Sequence, residues 1–360
     1  MKKTLSIMLA MLMMVSIFTA CGNSTTETPT PNDENTPSET ASANDIDTSE
    51  YADLPSVNWT YTSAVGESTI YNQAVQMLAD RLAEETGGKF TVETYYAGAL
   101  MNSVAEKDAV SRGTVQMCCQ AASILADYAD YLYPFSVAYN FKSYEHYRAV
   151  CDSELWAGIV EQVADDLDIR MMKSDYTGFR NLNLRGTKDI QTPEDMAGIK
   201  LRVSNNEATL FMAEYVLGAN PIGMDFNEVY SALQTGAIDG HENPLTTIYS
   251  NKFYEVTDSI VMTEHSCELH ALMVNETAWQ GLAPEYQELF TEIWNELVVW
   301  CDEQQLAQEA ELLSVFEDEG LVIIYPDKQS FIDKAIAAYE TNEKIQKYWD
   351  VYQEVLNMDV

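Results

Sequence analysis

The chain has 360 residues, and its 57 Asp+Glu against 20 Lys+Arg give a formal net charge of −37. That acid excess excludes nucleic acid as a natural partner, since a polyanion would be repelled rather than neutralised. It also repels an anionic ligand at long range, so any anion site here must rely on short-range pairing screened from bulk solvent.

In chain order, Lys2 and Lys3 precede an apolar run from Leu5 to Phe18. This reads as a secretory signal peptide over residues 1–20, because the run is shorter than the roughly 20 residues that a membrane span needs. Phe18-Thr-Ala-Cys21 looks like a bacterial lipobox. Cleavage there would leave Cys21 first, open to diacylation and durable anchoring in a membrane. From Gly22 to about Asp53 the chain is Ser, Thr, Asn, Pro and acid without Lys or Arg. It has too little apolar surface to fold, so residues 21–53 read as a flexible tether.

The remaining ~305 residues exceed one ordinary core, and two lobes are expected. Val57–Ala64 reads as a strand with Trp59 and Tyr61 on one face, and Ser68–Glu85 as an amphipathic helix closed by Gly87-Gly88. Phe90–Tyr96 is a second strand, Val104–Arg112 a helix and Val115–Ala121 a buried strand, which is the βαβαβ order of a doubly wound lobe. Glu145–Leu167 is mostly helical, and Ile169–Ser174 is a strand.

Residues 199–244 carry the most information. IKLRV reads as a strand in which Ile199 and Leu201 point one way, Lys200 and Arg202 the other. In so acidic a chain Arg202 needs a reason, either an ion pair at a strand end or a ligand carboxylate that suits its planar fork. Glu207–Leu217 is a helix with Asn205 or Asn206 as N-cap, and Pro221–Met224 is a short strand. Asn227–Leu233 is a helix, and Gly236–Gly240 a tight return. Strand, helix, strand, helix predicts parallel strands, whose ligands sit beyond the carboxyl ends. Arg202 ends the first strand, Phe226 follows the second, and Asn243 lies past Ile238. A charge, an aromatic wall and an amide thus converge, a set suited to a small anion. Glu268–Val274 then reads as a strand returning to the first lobe, and Glu285–Glu317 as one long helix striped by Leu289, Ile293, Leu297, Trp300, Ala307 and Leu313. Leu321–Tyr325 and Phe331–Leu356 complete the second lobe.

Cysteine usage gives no disulfide framework. With Cys21 set aside, five remain, two of them adjacent at 118 and 119, and buried thiols are expected. His265, Cys267 and His270 do not share one strand face, so no metal site is read there. His241, Glu242 and Asp239 lack an accompanying nucleophile motif.

The run LRV…LGANP…EVYSALQTGAIDG…ENP resembles the DctP-type solute-binding proteins of TRAP (tripartite ATP-independent periplasmic) transporters. The likeness extends to GFRNL at 178–182, TPEDMAGIKLRV at 192–203 and YEVTDSIVMTEH at 254–265, and covers roughly residues 57 to 325. The resemblance implies an α/β, two-lobed periplasmic-binding-protein-like (type II-like) fold, with doubly wound lobes, a cleft between them and a long bracing helix. It implies lobe I at 54–177 and 269–308 and lobe II at 178–268 and 309–360. It also implies an extracytoplasmic receptor with no chemistry and no cofactor, which closes on a small organic acid and delivers it to membrane permease subunits. In this reading Arg202 and Arg180 hold the carboxylate, Asn243 donates a hydrogen bond, Phe226 packs on the ligand, and Asn205 touches it from a helix start. His265 forms a polar wall or supports the cleft. Two residues depart from the family pattern, Ser204 in place of a proline and His241 in place of a glutamine. His241 would add a donor to the substrate or alter the hinge. C4-dicarboxylates, sugar acids, 2-oxo acids, sialic acids and aromatic acids all remain open as ligands. The alternatives are a binding protein for another importer or a sensor, and an exported lipoprotein hydrolase.

Overall fold

The computed structural model describes residues 46–360. The signal peptide, Cys21 and most of the tether lie outside these residues.

The first half of the fold grows from strand β1 (Val57–Thr62), whose alternation buries Trp59 and Tyr61. Helix α1 (Ile70–Glu85) lays Ala74, Val75, Leu78 and Leu82 on the sheet. It stops where Gly87 and Gly88 turn to positive φ, a conformation glycine adopts without strain. Strand β2 (Phe90–Tyr95), helix α2 (Ser103–Ser111) and strand β3 (Met117–Ala121) follow. Asn102 caps α2 by accepting from the Ala105 N–H at 3.1 Å. Helices α3 (Tyr144–Cys151) and α4 (Glu154–Leu167) then lead to the short strand β4 (Ile169–Met171).

The second half contains β5 (Arg180–Leu184), β6 (Lys200–Val203), α5 (Glu207–Phe211), β7 (Asn220–Gly223), α6 (Val229–Thr235), β8 (Gly240–Pro244), α7 (Leu245–Ser250) and β9 (Ser259–Ser266). Strand β10 (His270–Asn275) goes back to the first sheet. After α8 (Glu276–Gln280), the 35-residue helix α9 (Pro284–Asp318) leads to β11 (Val322–Ile324) and to α10 (Lys328–Tyr339), α11 (Glu343–Lys347) and α12 (Trp349–Leu356).

The first sheet has the order β2-β1-β3-β10-β4 and the second β11-β9-β5-β8-β6-β7. In the first, β1 is parallel to β2 and β3, while β10 runs antiparallel to β3 and β4. In the second, β6 is parallel to β7 and β8, and β5 is antiparallel to β8 and β9. The fold is therefore two-lobed α/β, with each sheet mixed because a returning strand is inserted against the parallel set.

Helix α9 serves both sheets. Its first half buries Phe290, Ile293, Trp294 and Leu297 in the core of the first sheet, and Leu312 and Phe316 pack on the second. The stripe read from the sequence holds through Leu297 and then fails: Ala307 is exposed, while Cys301, Asp302 and Gln305 are buried. A helix crossing between two sheets changes its buried face on the way, so no single 3.6-residue stripe fits its length.

The five described cysteines, 118, 119, 151, 267 and 301, are free thiols.

Candidate ligand-binding site

A cavity of about 200 Å³ is lined from both halves. The second sheet supplies Arg180, Arg202, Asn205, Phe226 and Asn243, and the first half supplies Glu106, Lys107, Gln120 and Tyr128. Strand order explains the first group. β5, β8 and β6 are neighbours, and Arg180 pairs with Pro244 while Arg202 pairs with His241. The two guanidiniums and the Asn243 amide therefore leave three adjacent central strands of the sheet.

Arg202 is 2% exposed. Its Nε and Nη2 both donate to the Met224 carbonyl, at 3.0 and 2.8 Å, and its guanidinium lies 5.7 Å from the Phe226 ring centroid. Among the described residues no carboxylate pairs with it, and Nη1 has no hydrogen-bond partner. Burial brings its pKa down to about 10, although Glu242, beyond pairing distance, pulls it up and more than balances Arg180. A buried cation without a counter-ion at a cavity wall is the electrostatic complement of an anion.

Arg180 differs. Its Nε and Nη2 grip the Glu242 carboxylate, Nη2 also donates to Asn243 Oδ1 at 3.1 Å, and Nη1 lies 3.3 Å from Glu268. Burial acts against its charge, but Glu242 and Glu268 more than offset that and raise its pKa. Burial would raise the pKa of Glu242, yet Arg180 holds this fully buried carboxyl down at about 2. Arg180 therefore brings little uncompensated charge to the wall.

The N-cap alternative resolves in favour of Asn206, whose Oδ1 accepts from the Thr209 N–H at 3.0 Å. Asn205 stays at the cavity wall, against Gly223, where a Cβ would meet its side-chain oxygen at 2.5 Å. Asn243 is not beyond a strand end as read from the sequence; it lies inside β8, buried, because the turn ends at Asp239 and the strand begins at Gly240.

His241 and His265 are fully buried and do not line the cavity. The Asn183 amide nitrogen donates to Thr257 Oγ1 at 2.8 Å and the Ser259 carbonyl at 3.1 Å, so its oxygen accepts from His241 Nε2 at 2.8 Å. His241 Nδ1 is then the acceptor for Asn243 Nδ2 at 2.8 Å. This chain fixes the Asn243 amide and leaves it one free N–H. Burial, followed by Arg202, lowers the His241 pKa to about 3, so the ring stays neutral. His265 meets Thr263 Oγ1 at 2.8 Å and stands 3.4 Å behind Glu242. Both histidines thus stand behind the wall rather than in it: for His265 this is the supporting place, the second of its two readings, and His241 meets the cavity only through Asn243.

Residues 61–345 match DctP, described as bacterial extracellular solute-binding protein, family 7. The chain belongs to this family. Among curated relatives of this DctP-family chain, the sialic acid-binding periplasmic protein SiaP of Vibrio cholerae is 31% identical over 264 residues, 73% of this chain and 81% of that protein. The C4-dicarboxylate-binding protein DctB of Bacillus subtilis is 26% identical over 292 residues, 79% of this chain and 82% of the relative. Among solved structures, a TRAP periplasmic solute-binding protein from Roseobacter denitrificans with bound 3-deoxy-D-manno-oct-2-ulosonic acid superposes with a TM-score of 0.80. It is 31% identical, and the match covers 84% of this chain and all (100%) of that one.

Sequence reasoning missed the part of the cavity that the first half of this DctP-family protein contributes. Glu106 is 1% exposed on α2, beside buried Ala109 and Val110. An acid at i against apolar residues at i+3 and i+4 is a signal that could have exposed it. Gln120, near the carboxyl end of otherwise apolar β3, donates to Glu106 Oε2. Lys107 Nζ reaches the Tyr128 hydroxyl at 2.7 Å and Asp108 at 3.1 Å. His270 Nδ1 is 2.9 Å from Asp175.

Proposed function

We propose that this protein is the extracytoplasmic receptor of a TRAP transporter, taking a small organic acid between its lobes and delivering it to membrane permease subunits. The observation that carries the reading is Arg202, a buried guanidinium with no carboxylate partner and an unused Nη1 in a cavity of about 200 Å³. The family supports it, since the named ligands of SiaP and of the Roseobacter protein are acids.

In this mechanism Arg202 Nη1 and the spare Asn243 N–H hold the carboxylate, and Asn205 and Phe226 close over the rest. Arg180 orients Asn243 and adds a weaker contact, since Glu242 and Glu268 share its charge. The ligand leaves unchanged. The moving bodies are residues 54–177 with 269–308 and residues 178–268 with 309–360, and closure removes water and strengthens each contact. Cys21 carries the lipid that keeps the receptor on the outer face of the membrane, with the acidic tether giving it reach.

Arg202→Ala tests the site. Loss of one partner of a desolvated pair costs about 3–5 kcal/mol, roughly a hundredfold or more in affinity. Arg202→Lys recovers little, because a point charge cannot hold the Met224 carbonyl and a ligand together. Calorimetric titration with a panel of organic acids, alongside circular dichroism, reads both variants. A folded Arg202→Ala protein with native affinity would remove the assignment.

A further inference from the structure

Within the cavity, Glu106 is the acid whose side chain is least accounted for. It is 1% exposed, Oε2 accepts from Gln120 Nε2, and Oε1 is buried with no hydrogen-bond partner. The Ala64 amide approaches this carboxyl without completing a hydrogen bond. A buried polar atom left without a partner is costly, and this one belongs to a residue that lines the cavity.

We propose that Glu106, seated on Gln120, is the specificity-determining residue for a hydroxyl that the ligand carries away from its carboxylate, so that the cleft selects a polyhydroxy monocarboxylate over a dicarboxylate. The inference rests on the carboxylate-receptor reading above and adds the class of acid.

Two arguments support it. A hydroxyl both donates and accepts, so it satisfies Oε1 whether Glu106 is ionised or protonated. An ammonium suits only the ionised form, and a second carboxylate only the protonated one. The cation balance points the same way. Among the described cavity residues, Arg180 is held by Glu242 and Glu268, and Lys107 by Asp108. Arg202 alone lacks such a partner, which provides for one carboxylate. A second one would find no free cation in the wall and would face Asp127.

The test uses acids that share a carboxylate and differ beyond it. D-galactonate and 3-deoxy-D-manno-oct-2-ulosonic acid are the polyhydroxy probes, 2-hydroxyhexanoate lacks the distal hydroxyls, and adipate replaces them with a second carboxylate. Each is titrated calorimetrically into the wild type, Glu106→Leu, Glu106→Gln and Arg202→Ala. The wild type should bind a polyhydroxy probe more tightly than 2-hydroxyhexanoate or adipate. Glu106→Leu should lose roughly tenfold to a hundredfold for that probe and leave 2-hydroxyhexanoate nearly unchanged, so the ratio between them collapses. Glu106→Gln, whose amide still meets a hydroxyl, should stay within severalfold and covers the case in which the leucine variant does not fold. A wild type that prefers adipate or 2-hydroxyhexanoate overturns the inference. So does a Glu106→Leu variant that keeps the wild-type ratio, even where Arg202→Ala abolishes binding and the receptor reading stands. If no acid binds the wild type, or Arg202→Ala binds like the wild type, the receptor reading itself falls.

Discussion

Burial lifts the Glu106 carboxyl to about 8 from an ordinary value of 4.5, with Gln120 pulling the other way. Between those values the folded chain keeps a proton that the unfolded chain has released. Stability therefore falls as pH rises through this window, is unaffected by this group below it, and carries the full penalty above it. A shift of that size has an upper limit of roughly 5 kcal/mol. Glu309, raised by burial to about 7, adds to the same slope. Glu106→Gln should lose its share. The difference in melting temperature between the variant and the wild type should be small at pH 4.5 and clearly in the variant's favour at pH 8. Parallel pH profiles for the two proteins would show that Glu106 does not hold its proton. At the same scale, His241 fixes the Asn243 amide from behind the wall. The ring accepts from Asn243 through Nδ1, because Asn183 dictates which nitrogen carries the hydrogen.

Helix α9 is the element in which polar and apolar burial trade places. Midway between its two apolar halves, Asp302 accepts from Arg148 Nη2 at 2.7 Å, the Tyr176 N–H at 2.9 Å and the Tyr144 hydroxyl at 2.8 Å. One turn on, Gln305 accepts from Thr246 at 3.0 Å and donates to Glu309 at 3.0 Å. Gly178, at φ +93, lies against this point, where a Cβ would run into Glu309 and Gln305. The helix is thus tied by hydrogen bonds where the chain passes from one sheet to the other, and by apolar packing on either side. Asp302→Ala would leave Arg148 buried without its counter-ion, at a cost of about 3–5 kcal/mol. Glu303→Ala, at the exposed neighbouring position, should stay within ~0.5 kcal/mol. Urea denaturation compares the two, and equal midpoints would show that the buried ion pair contributes nothing to holding the brace.

At the scale of the molecule, polar contacts link the two halves beside the cavity, among them Ser123 Oγ to Glu268 at 2.8 Å. Asp225, from the second half, accepts from Asn102 Nδ2 at 2.7 Å and Ser103 Oγ at 3.3 Å in the first. Asp127, from the first half, accepts from the Glu207 N–H at the start of α5 at 3.0 Å. These bonds are partly exposed and individually weak, in keeping with the closure proposed above. Asp225→Ala should shift the unliganded population toward an open form and weaken ligand affinity severalfold, without touching the carboxylate contacts. Small-angle scattering should show a larger radius of gyration for the free variant than for the free wild type, and equal values once ligand is saturating. Identical free-state radii and affinities would mean that these contacts do not govern closure.

The sequence by itself determined the βαβαβ start, the strand–helix units of residues 199–235 and the long helix, because strand and helix periods and turn residues are local properties of the chain; the LRV…ENP run carried the family and with it the two-lobed α/β class, while β5, β8 and β9 were not read as strands. It also marked Arg202, since a guanidinium in a short apolar strand of a chain at −37 is conspicuous without coordinates. Tertiary structure decided the charge state of the site. Arg180 and Arg202 look alike in sequence, yet one is neutralised by Glu242, 62 residues away, and by Glu268, 88 residues away, while the other is not. It also set both histidines behind the wall and brought Glu106, almost 100 residues earlier than Arg202, to the same cavity. Burial, pairing and pKa depend on neighbours distant in sequence, so they become readable only once the two sheets are assembled.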